Sequence, residues 1–158
     1  MRKFALAVAL LATFMIAAPQ SAFAATCSGS TCQGKDPQAA GCSADAYNLT
    51  EMTFNQDRME MRYSPSCGAV WTRCTTGNIS TVNNDAAIIM YSLSSDAYIG
   101  KYTVMCSNSA KGNVRWTPMA KFSGQYLRTC GKNQLLYGGP DNSGDWRGDS
   151  NASCTGRH

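Results

Sequence analysis

Cysteine is the residue type in this chain best suited to chemistry. Thiols bind metals, act as nucleophiles when ionised, or pair as disulfides. The first three cysteines, Cys27, Cys32 and Cys42, follow the spacing Cys-x4-Cys-x9-Cys. This spacing lacks the tight Cys-x2-Cys arms of zinc knuckles. The only histidine is His158, at the last position of the sequence. We therefore expect no metal and no cofactor, and a disulfide framework built from Cys27, Cys32, Cys42, Cys67, Cys74, Cys106, Cys130 and Cys154.

Several pairings of these cysteines stay open at the level of sequence. Bridges within residues 27–42 fit the spacing, and so do bridges from that segment to Cys67. Cys74 and Cys106 each end a predicted strand and suit a bridge between neighbouring strands. Cys130 and Cys154 suit a bridge that ties down the C-terminal segment.

The scarcity of histidine also limits catalysis. Ser-His-Asp and Cys-His mechanisms need an imidazole as general base near neutral pH. Carboxylate chemistry remains, but a glycosidase pair must lie about 5–9.5 Å apart across a cleft, and no spacing here selects one. We expect Glu60 to face solvent between Arg58 and Arg62 and to make only weak surface ion pairs. The sequence therefore predicts a protein that is not an enzyme.

Four residues are candidates for contact with a ligand: Lys35, Asp36, Arg62 and Trp71. Asp36 precedes a proline, so the bland interpretation is a turn in which its carboxylate accepts backbone N–H groups while Lys35 stays solvated. Aromatic rings suit the apolar faces of sugars, so Trp71, Trp116 and Trp146 could form a sugar-stacking face, yet a small β domain also needs tryptophans in its core. Trp71 is therefore expected in the core, and a ligand-binding role for the four is the alternative.

The elements that position these residues are short strands. Met59, Met61 and Tyr63 alternate with charged residues, which is the period of a half-buried strand, and the SPSC turn at 64–67 leads into a second strand at 68–74. We predict a hairpin over 58–74 and further strands at 49–54, 88–93, 98–106, 113–116 and 125–130.

The segments between and around these strands lack a regular period. Residues 25–46 read as an irregular Cys-rich lobe with at most one helical turn in 37–48, and residues 138–153 read as a loop. The expected fold is all-β: a small disulfide-stabilised sandwich or partly open barrel with an irregular Cys-rich N-terminal lobe.

Residues 1–24 read as a secretory signal peptide, with a basic start, a short apolar run and cleavage after Ala24. Residues 25–158 are then a single secreted, disulfide-rich domain. Removal of Arg2 and Lys3 lowers the net charge from +4 to +2, too little and too scattered for a nucleic-acid partner. We expect an extracellular protein that does not insert into a membrane after cleavage.

Two stretches resemble a known family. "C-x4-C-x-GKDP-x3-GC-x2-DA" at 27–46 and "E-x-RYSPSC-x-A-x-W-x-R" at 60–73 are similar to the domain-of-unknown-function family 2690 of small exported proteins, found mainly in Gram-positive bacteria. "WTPM" at 116–119 and "LRTC" at 127–130 resemble later segments of that family, whereas Cys74, Cys106 and the long polar tail depart from it. The resemblance implies export and a single fold, and it supplies no activity.

Export, dense bridging, mild positive charge and the missing catalytic base favour a non-catalytic extracellular binding module. Its expected partner is a cell-envelope polysaccharide or another secreted protein. One alternative is a protease inhibitor that uses Ser64-Pro65-Ser66 or residues 138–153. Another is an antibacterial effector or carbohydrate-active enzyme that uses the carboxylates of Asp36, Asp45 and Glu60.

The polar tail contains two short matches that suggest further ligands. Asp141, Ser143, Asp145 and Asp149 follow spacings loosely like a calcium loop, without its central glycine and final glutamate. Residues 147–149 form an Arg-Gly-Asp tripeptide of the kind that integrins recognise. A polar, turn-rich loop explains both matches equally well.

Overall fold

The computed structural model describes residues 24–77, 83–106, 110–134 and 144–158. Within these ranges the chain forms one short 3-10 helix, Gly29–Cys32, and nine strands. None of the helical structure in the described ranges has the length and hydropathy of a membrane span. The strands are β1 Tyr47–Phe54, β2 Asp57–Ser64, β3 Ala69–Thr75, β4 Asn83–Ser92, β5 Tyr98–Met105, β6 Val114–Trp116, β7 Ala120–Lys121, β8 Gln125–Gln134 and β9 Ala152–Cys154.

The strands form two antiparallel sheets. Sheet A has the order β1-β2-β3-β6, and β7 pairs with β3 beyond the end of β6. Sheet B has the order β5-β4-β8-β9. No strand pairing in the described ranges joins one sheet to the other, so the fold is an open sandwich and not a closed barrel. The predicted all-β class is confirmed.

The predicted hairpin is the centre of sheet A. In β2, Met59 and Met61 point into the sandwich, and the register places Met61 opposite Thr72 of β3. The preceding β1–β2 connection has only two residues, Asn55 and Gln56, with φ of 46° and 72°. Two consecutive positive φ values are typical of the type I′ turn, whose twist matches that of antiparallel strands. Local sequence therefore fixes the order β1-β2-β3.

The core lies between the two sheets and combines apolar packing with buried polar contacts. Val70 and Met61 of sheet A pack with Ile88, Met90 and Leu127 of sheet B.

One of the polar contacts between the sheets is made by the buried hydroxyl of Thr72. It donates to the carbonyl oxygen of Ala87 at 2.8 Å and lies 2.9 Å from the hydroxyl oxygen of Thr129. Buried hydroxyls are costly unless they are hydrogen-bonded, so this contact fixes the alignment of the sheets.

Side chains of sheet A pack directly against the backbone of Gly131 in sheet B. A Cβ built on it would lie 2.6 Å from Cγ of Phe54 and 2.8 Å from Sδ of Met59. Real Cβ atoms do not come this close to neighbouring atoms, so only glycine fits at this position of β8 without a shift of its neighbours.

The irregular N-terminal lobe, residues 24–46, covers the outer face of sheet A. Cys27, Cys32, Ala40 and Cys42 of the lobe pack with Trp71 in one buried cluster. Backbone hydrogen bonds anchor it: Gly34 N–H donates to the carbonyl of Met119, and Met119 N–H donates to that of Lys35. Trp71 is only 3% exposed for this reason, as expected for a core residue.

All eight cysteines form disulfides, so the predicted framework is confirmed. Two bridges, Cys27–Cys32 and Cys42–Cys67, brace the lobe and tie it to the β2–β3 turn. Cys74–Cys106 links the end of β3 to the residue after β5, and Cys130–Cys154 joins β8 to β9.

Two predicted strands are longer than expected, since β4 begins at residue 83 and not 88, and β8 ends at residue 134 and not 130. Three further parts of the fold differ from the prediction. β7 was not predicted, because two residues are too few to show a period. Residues 152 and 153 of the predicted C-terminal loop belong, with Cys154, to strand β9, because these three residues pair with Cys130, Gly131 and Lys132 of β8. The helical turn is Gly29–Cys32, whereas residues 37–43 form hydrogen-bonded turns.

Candidate functional site

The outer face of sheet A presents a row of polar and aromatic side chains where the lobe ends. Antiparallel pairing places Arg62 of β2 directly opposite Trp71 of β3, and Arg73 of β3 opposite Trp116 of β6. Side chains two residues apart in a strand share a face, so all four project to the same side of the sheet. Two of the four predicted ligand residues, Arg62 and Trp71, thus lie together.

Glu60 overturns the expectation of a solvent-facing surface ion pair. Its side chain is 1% exposed, and both of its oxygens accept hydrogen bonds from Arg73, at 2.7 Å from Nε and 2.8 Å from Nη2. Asn48 Nδ2 donates to Oε1 at 2.7 Å, and Arg58 lies 3.2 Å away. Three neighbouring side chains surround this carboxylate, and alternation in β2 alone does not reveal them.

This arrangement sets the ionisation of Glu60. Burial on its own raises the pKa of the carboxyl, but the hydrogen bonds from Arg73 and Asn48 and the charges of Arg73 and Arg58 outweigh burial and lower the pKa from its usual 4.5. Glu60 is therefore ionised at neutral pH and acts as an electrostatic anchor for the arginines.

Arg62 is held by neutral groups instead of a carboxylate. Its Nη1 donates to Oδ1 of Asn48 at 2.6 Å, and its Nη2 donates to the carbonyl oxygen of Ala46. Asn48 therefore connects Arg62 to Glu60. Burial and repulsion from Arg73 lower the pKa of the Arg62 guanidinium, although arginine remains protonated in proteins.

Asp36 orients the aromatic wall of the site. Its Oδ1 accepts the backbone N–H groups of Gln38 and Ala39 at 2.8 and 2.9 Å, which confirms the predicted turn. Its Oδ2 accepts the indole N–H of Trp116 at 2.8 Å, across 80 positions of sequence. Asp36 thus fixes the ring of Trp116 against the lobe.

These side chains enclose a shallow pocket of about 100 Å³ between the lobe and sheet A. The lobe forms one wall and strands β2, β3 and β6 form the other. The lining residues are Pro37, Gln38, Ser43, Arg62, Trp71, Arg73, Val114 and Trp116.

The remaining predicted ligand residue, Lys35, does not line this pocket. It is exposed on the lobe, and its backbone contacts Cys32 and Met119. Asp36 acts on the pocket only through Trp116. Arg73 was not predicted as a ligand residue, and Trp116 was predicted only as one of three tryptophans that could form a sugar-stacking face. Arg73 lies two residues after Trp71 in β3, so strand alternation alone could have predicted that both side chains face the pocket. Trp116 reaches the pocket only through the long-range pairing of β6 with β3.

The four cysteines of the lobe bridges lie close together, with their sulfur atoms all within 4.8 Å of one another. Sγ of Cys27 is 3.8 Å from Sγ of Cys42, although the two belong to different disulfides. Thiolates, not disulfide sulfurs, are the form in which cysteine binds metals. The cluster consists of two disulfides and packs with Trp71, which lines the pocket.

The polar tail is engaged within the protein where it is described. Asp145 accepts hydrogen bonds from the Tyr91 hydroxyl at 2.8 Å and from Arg147 Nε at 2.7 Å, and Asp149 pairs with Lys132 at 2.7 Å. Trp146 is 1% exposed, beneath the ammonium group of Lys101 at 4.7 Å. Two positions of the calcium-like spacing, Asp141 and Ser143, lie outside the described residues. Calcium binding and integrin recognition stay untested hypotheses.

Comparison with known proteins gives one match. No curated protein and no solved structure matches the chain. A sequence model of one family matches residues 30–121, a range that contains every residue lining the pocket. Because this match covers more than half of the 158 residues, the chain belongs to the family described as protein of unknown function (DUF2690).

Proposed function

We propose that this protein is a non-catalytic, exported binding module that holds a polysaccharide of the bacterial cell envelope at the pocket on sheet A. The observation that carries this proposal is the convergence of Trp116 with Arg62 and Arg73 at one concave surface. A flat aromatic ring packs against the apolar face of a sugar, and guanidinium groups donate to its oxygens. Gln38 and Ser43 add neutral polar groups on the lobe side.

The rigidity of the site supports recognition. Trp116 is held by Asp36, Arg73 is held by Glu60, and two disulfides brace the lobe that forms one wall. Groups that are already fixed in place lose little conformational entropy when a ligand binds. The site therefore has the character of a preformed binding surface.

The polar groups near the pocket support a non-catalytic role. Glu60 is tied to Arg73 through both oxygens, and Asp36 accepts three hydrogen bonds, so neither is poised as a proton-transfer group. The chain's single histidine, His158, pairs through its backbone with Leu127 of sheet B, on the sheet that does not carry the pocket.

Export is the other half of the proposal. The N-terminal sequence has the features of a signal peptide, and four disulfides persist in oxidising compartments outside the cytoplasm. An exported protein of this kind first encounters the cell envelope.

The test is co-sedimentation with purified bacterial cell walls, at low salt, together with a glycan array. The wild type is compared with Trp116→Ala, which removes the aromatic wall, and with Tyr98→Ala, a half-buried aromatic of sheet B, as the matched control. We expect Trp116→Ala to weaken binding by about tenfold or more and the control to bind like the wild type. Blank results with both assays, or equal losses in the two variants, contradict the proposal.

The inhibitor hypothesis stays a prediction with no observation that favours it. In the Ser64–Cys67 turn only Pro65 and Ser66 are exposed, and the turn is closed by Asp45, whose oxygens accept from Ser64 Oγ at 2.5 Å and from Ser66 N–H at 2.9 Å. Residues 138–143 of the other proposed segment lie outside the described residues.

A further inference from the structure

The two arginines of the pocket differ in how their charges are balanced. Arg73 forms a two-pronged ion pair with Glu60. Arg62 has no carboxylate within 4.0 Å anywhere in the described part of the chain, and its protein partners are an amide oxygen and a backbone carbonyl. The pocket therefore holds one guanidinium charge that the surrounding side chains leave without a counter-ion at contact.

Some N–H groups of these two arginines also make no hydrogen bond in the described part of the chain. A guanidinium carries five N–H donors. The described contacts occupy one N–H on each Nη of Arg62, and Nε and Nη2 of Arg73. Nε of Arg62 and Nη1 of Arg73 make no hydrogen bond in the described ranges, so donors remain on both arginines that line the pocket.

Electrostatic repulsion from neighbouring arginines also acts on Arg62. The charges of Arg73 and Arg58 act together with burial to lower the pKa of Arg62, and the attraction of Glu60 does not offset them. An anion beside Arg62 would relieve this repulsion, because opposite charges in a partly buried site attract more strongly than in bulk water.

The size of the pocket limits which part of a polysaccharide can enter it. A volume of about 100 Å³ accommodates a small substituent and not a whole sugar ring. Planar guanidinium groups match the geometry of carboxylate and phosphate oxygens, to which they donate two hydrogen bonds at once. The ring that bears the substituent would lie outside, against Trp116.

We infer that the pocket recognises the oxyanion of an acidic polysaccharide, a carboxylate or a phosphate group, through the unpaired charge of Arg62, with Arg73 as a second donor and Trp116 as the wall for the sugar that carries it. This inference rests on the proposed function and specifies its ligand class.

The experiment measures binding of the full exported chain to three polymers by calorimetry: an oligogalacturonate, a polyglycerol phosphate and a neutral glucan. Inorganic phosphate alone serves as a competitor. We expect one or both acidic polymers to bind at least about tenfold more tightly than the glucan, with an affinity that falls as salt rises. The arm that binds identifies carboxylate or phosphate as the group.

Two variants test the assigned residues. Arg62→Gln removes the unbalanced charge, and Arg157→Gln removes the same charge from a residue that pairs with Asp96 near sheet B. Arg62→Gln is expected to lose at least about tenfold in affinity for the acidic polymer and Arg157→Gln less than about twofold. Equal losses would show that net charge alone attracts the polymer, and would overturn the assignment.

A third variant covers the case in which Arg62→Gln fails to fold. Ser43→Asp places a negative charge on an exposed lining residue and leaves the arginine network intact. It is expected to abolish acidic binding with an unchanged melting temperature, and unaltered acidic binding overturns the inference. Binding of the glucan as tightly as the acidic polymers also overturns it and leaves the proposed function standing. If neither the three polymers nor purified cell walls bind, both this inference and the proposed function are overturned.

Discussion

Arg73 and Glu60 are cross-strand neighbours whose side chains join through two hydrogen bonds of 2.7 and 2.8 Å on the outer face of sheet A. Strand pairing brings them together, and Asn48 extends the contact to Arg62. The charged centre of the candidate site is therefore built from three adjacent strands, and the ion pair that links Glu60 to Arg73 also holds Arg73 at the proposed binding pocket.

Replacement of Glu60 by glutamine keeps the shape of the side chain and removes its charge. We expect a loss of about 1–3 kcal/mol in the free energy of unfolding, less than for a fully buried pair because Arg73 is 35% exposed. Denaturant titration with the disulfides intact measures it. The control is Glu51→Gln, a carboxylate that is 52% exposed and also contacts Arg58, with an expected change below about 0.5 kcal/mol. Equal effects would contradict the buried role of Glu60.

The pH dependence of stability follows from the same carboxylate. Its pKa in the folded protein is below the usual 4.5, so the stabilisation is complete above that value and is lost as the pH falls through the folded pKa. Asp36, Asp45 and Asp145 also have lowered pKa values and contribute to the acid transition.

The difference between wild type and Glu60→Gln isolates the contribution of this residue. We expect the stability gap between the two proteins to be constant above about pH 5 and to narrow as the pH falls below 4.5. Melting temperatures recorded from pH 2 to 7 provide the measurement. A gap that widens toward acid would contradict the assignment.

The close contact of the two sheets at Gly131 gives a third prediction. Gly131→Ala forces a methyl group against Phe54 and Met59, and we expect a loss of about 1–3 kcal/mol in the free energy of unfolding. Gly156→Ala is the matched control because its added Cβ meets no atom within 4 Å. A Gly131 variant as stable as the control would show that the sheets are further apart than described.

The fourth prediction concerns the buried hydroxyls of Thr72 and Thr129. Thr72→Val takes away the hydrogen-bond partner of the Thr129 hydroxyl, whereas Thr129→Val leaves Thr72 bonded to the Ala87 carbonyl. We expect a loss of about 1–3 kcal/mol for Thr72→Val, a smaller loss for Thr129→Val, and a double variant that costs less than the sum of the two. Denaturant titrations of all four proteins complete the double-mutant cycle. Strict additivity would contradict a direct contact between them.

The sequence predicted what local patterns determine. Alternation at Met59, Met61 and Tyr63 and the turn at Pro65 were sufficient for the β2–β3 hairpin, and this hairpin places Arg62 beside Trp71. The Asp36 turn was also predictable, because its hydrogen bonds span only two and three residues.

Long-range contacts determine the rest. Trp116 enters the site because β6 pairs with β3 some 43 positions earlier, and no short window contains that information. Glu60 was misplaced because alternation gives the face of a strand, not what covers that face. Here Asn48 and the arginines enclose the carboxylate. Strand β9 forms only because the chain returns to β8, where the Cys130–Cys154 bridge also joins the two strands.

The most direct test of the binding site is an NMR titration of the ¹⁵N-labelled protein with soluble fragments released from bacterial cell walls. Trp116 and Trp146 provide indole N–H signals on opposite sheets, one at the pocket and one buried in the sheet B side. We predict that the Trp116 indole and the Arg62 Nε–H signals shift together in a saturable manner while the Trp146 indole stays in place. Saturable shifts that leave Trp116 and Arg62 unchanged and map to another surface would contradict the account.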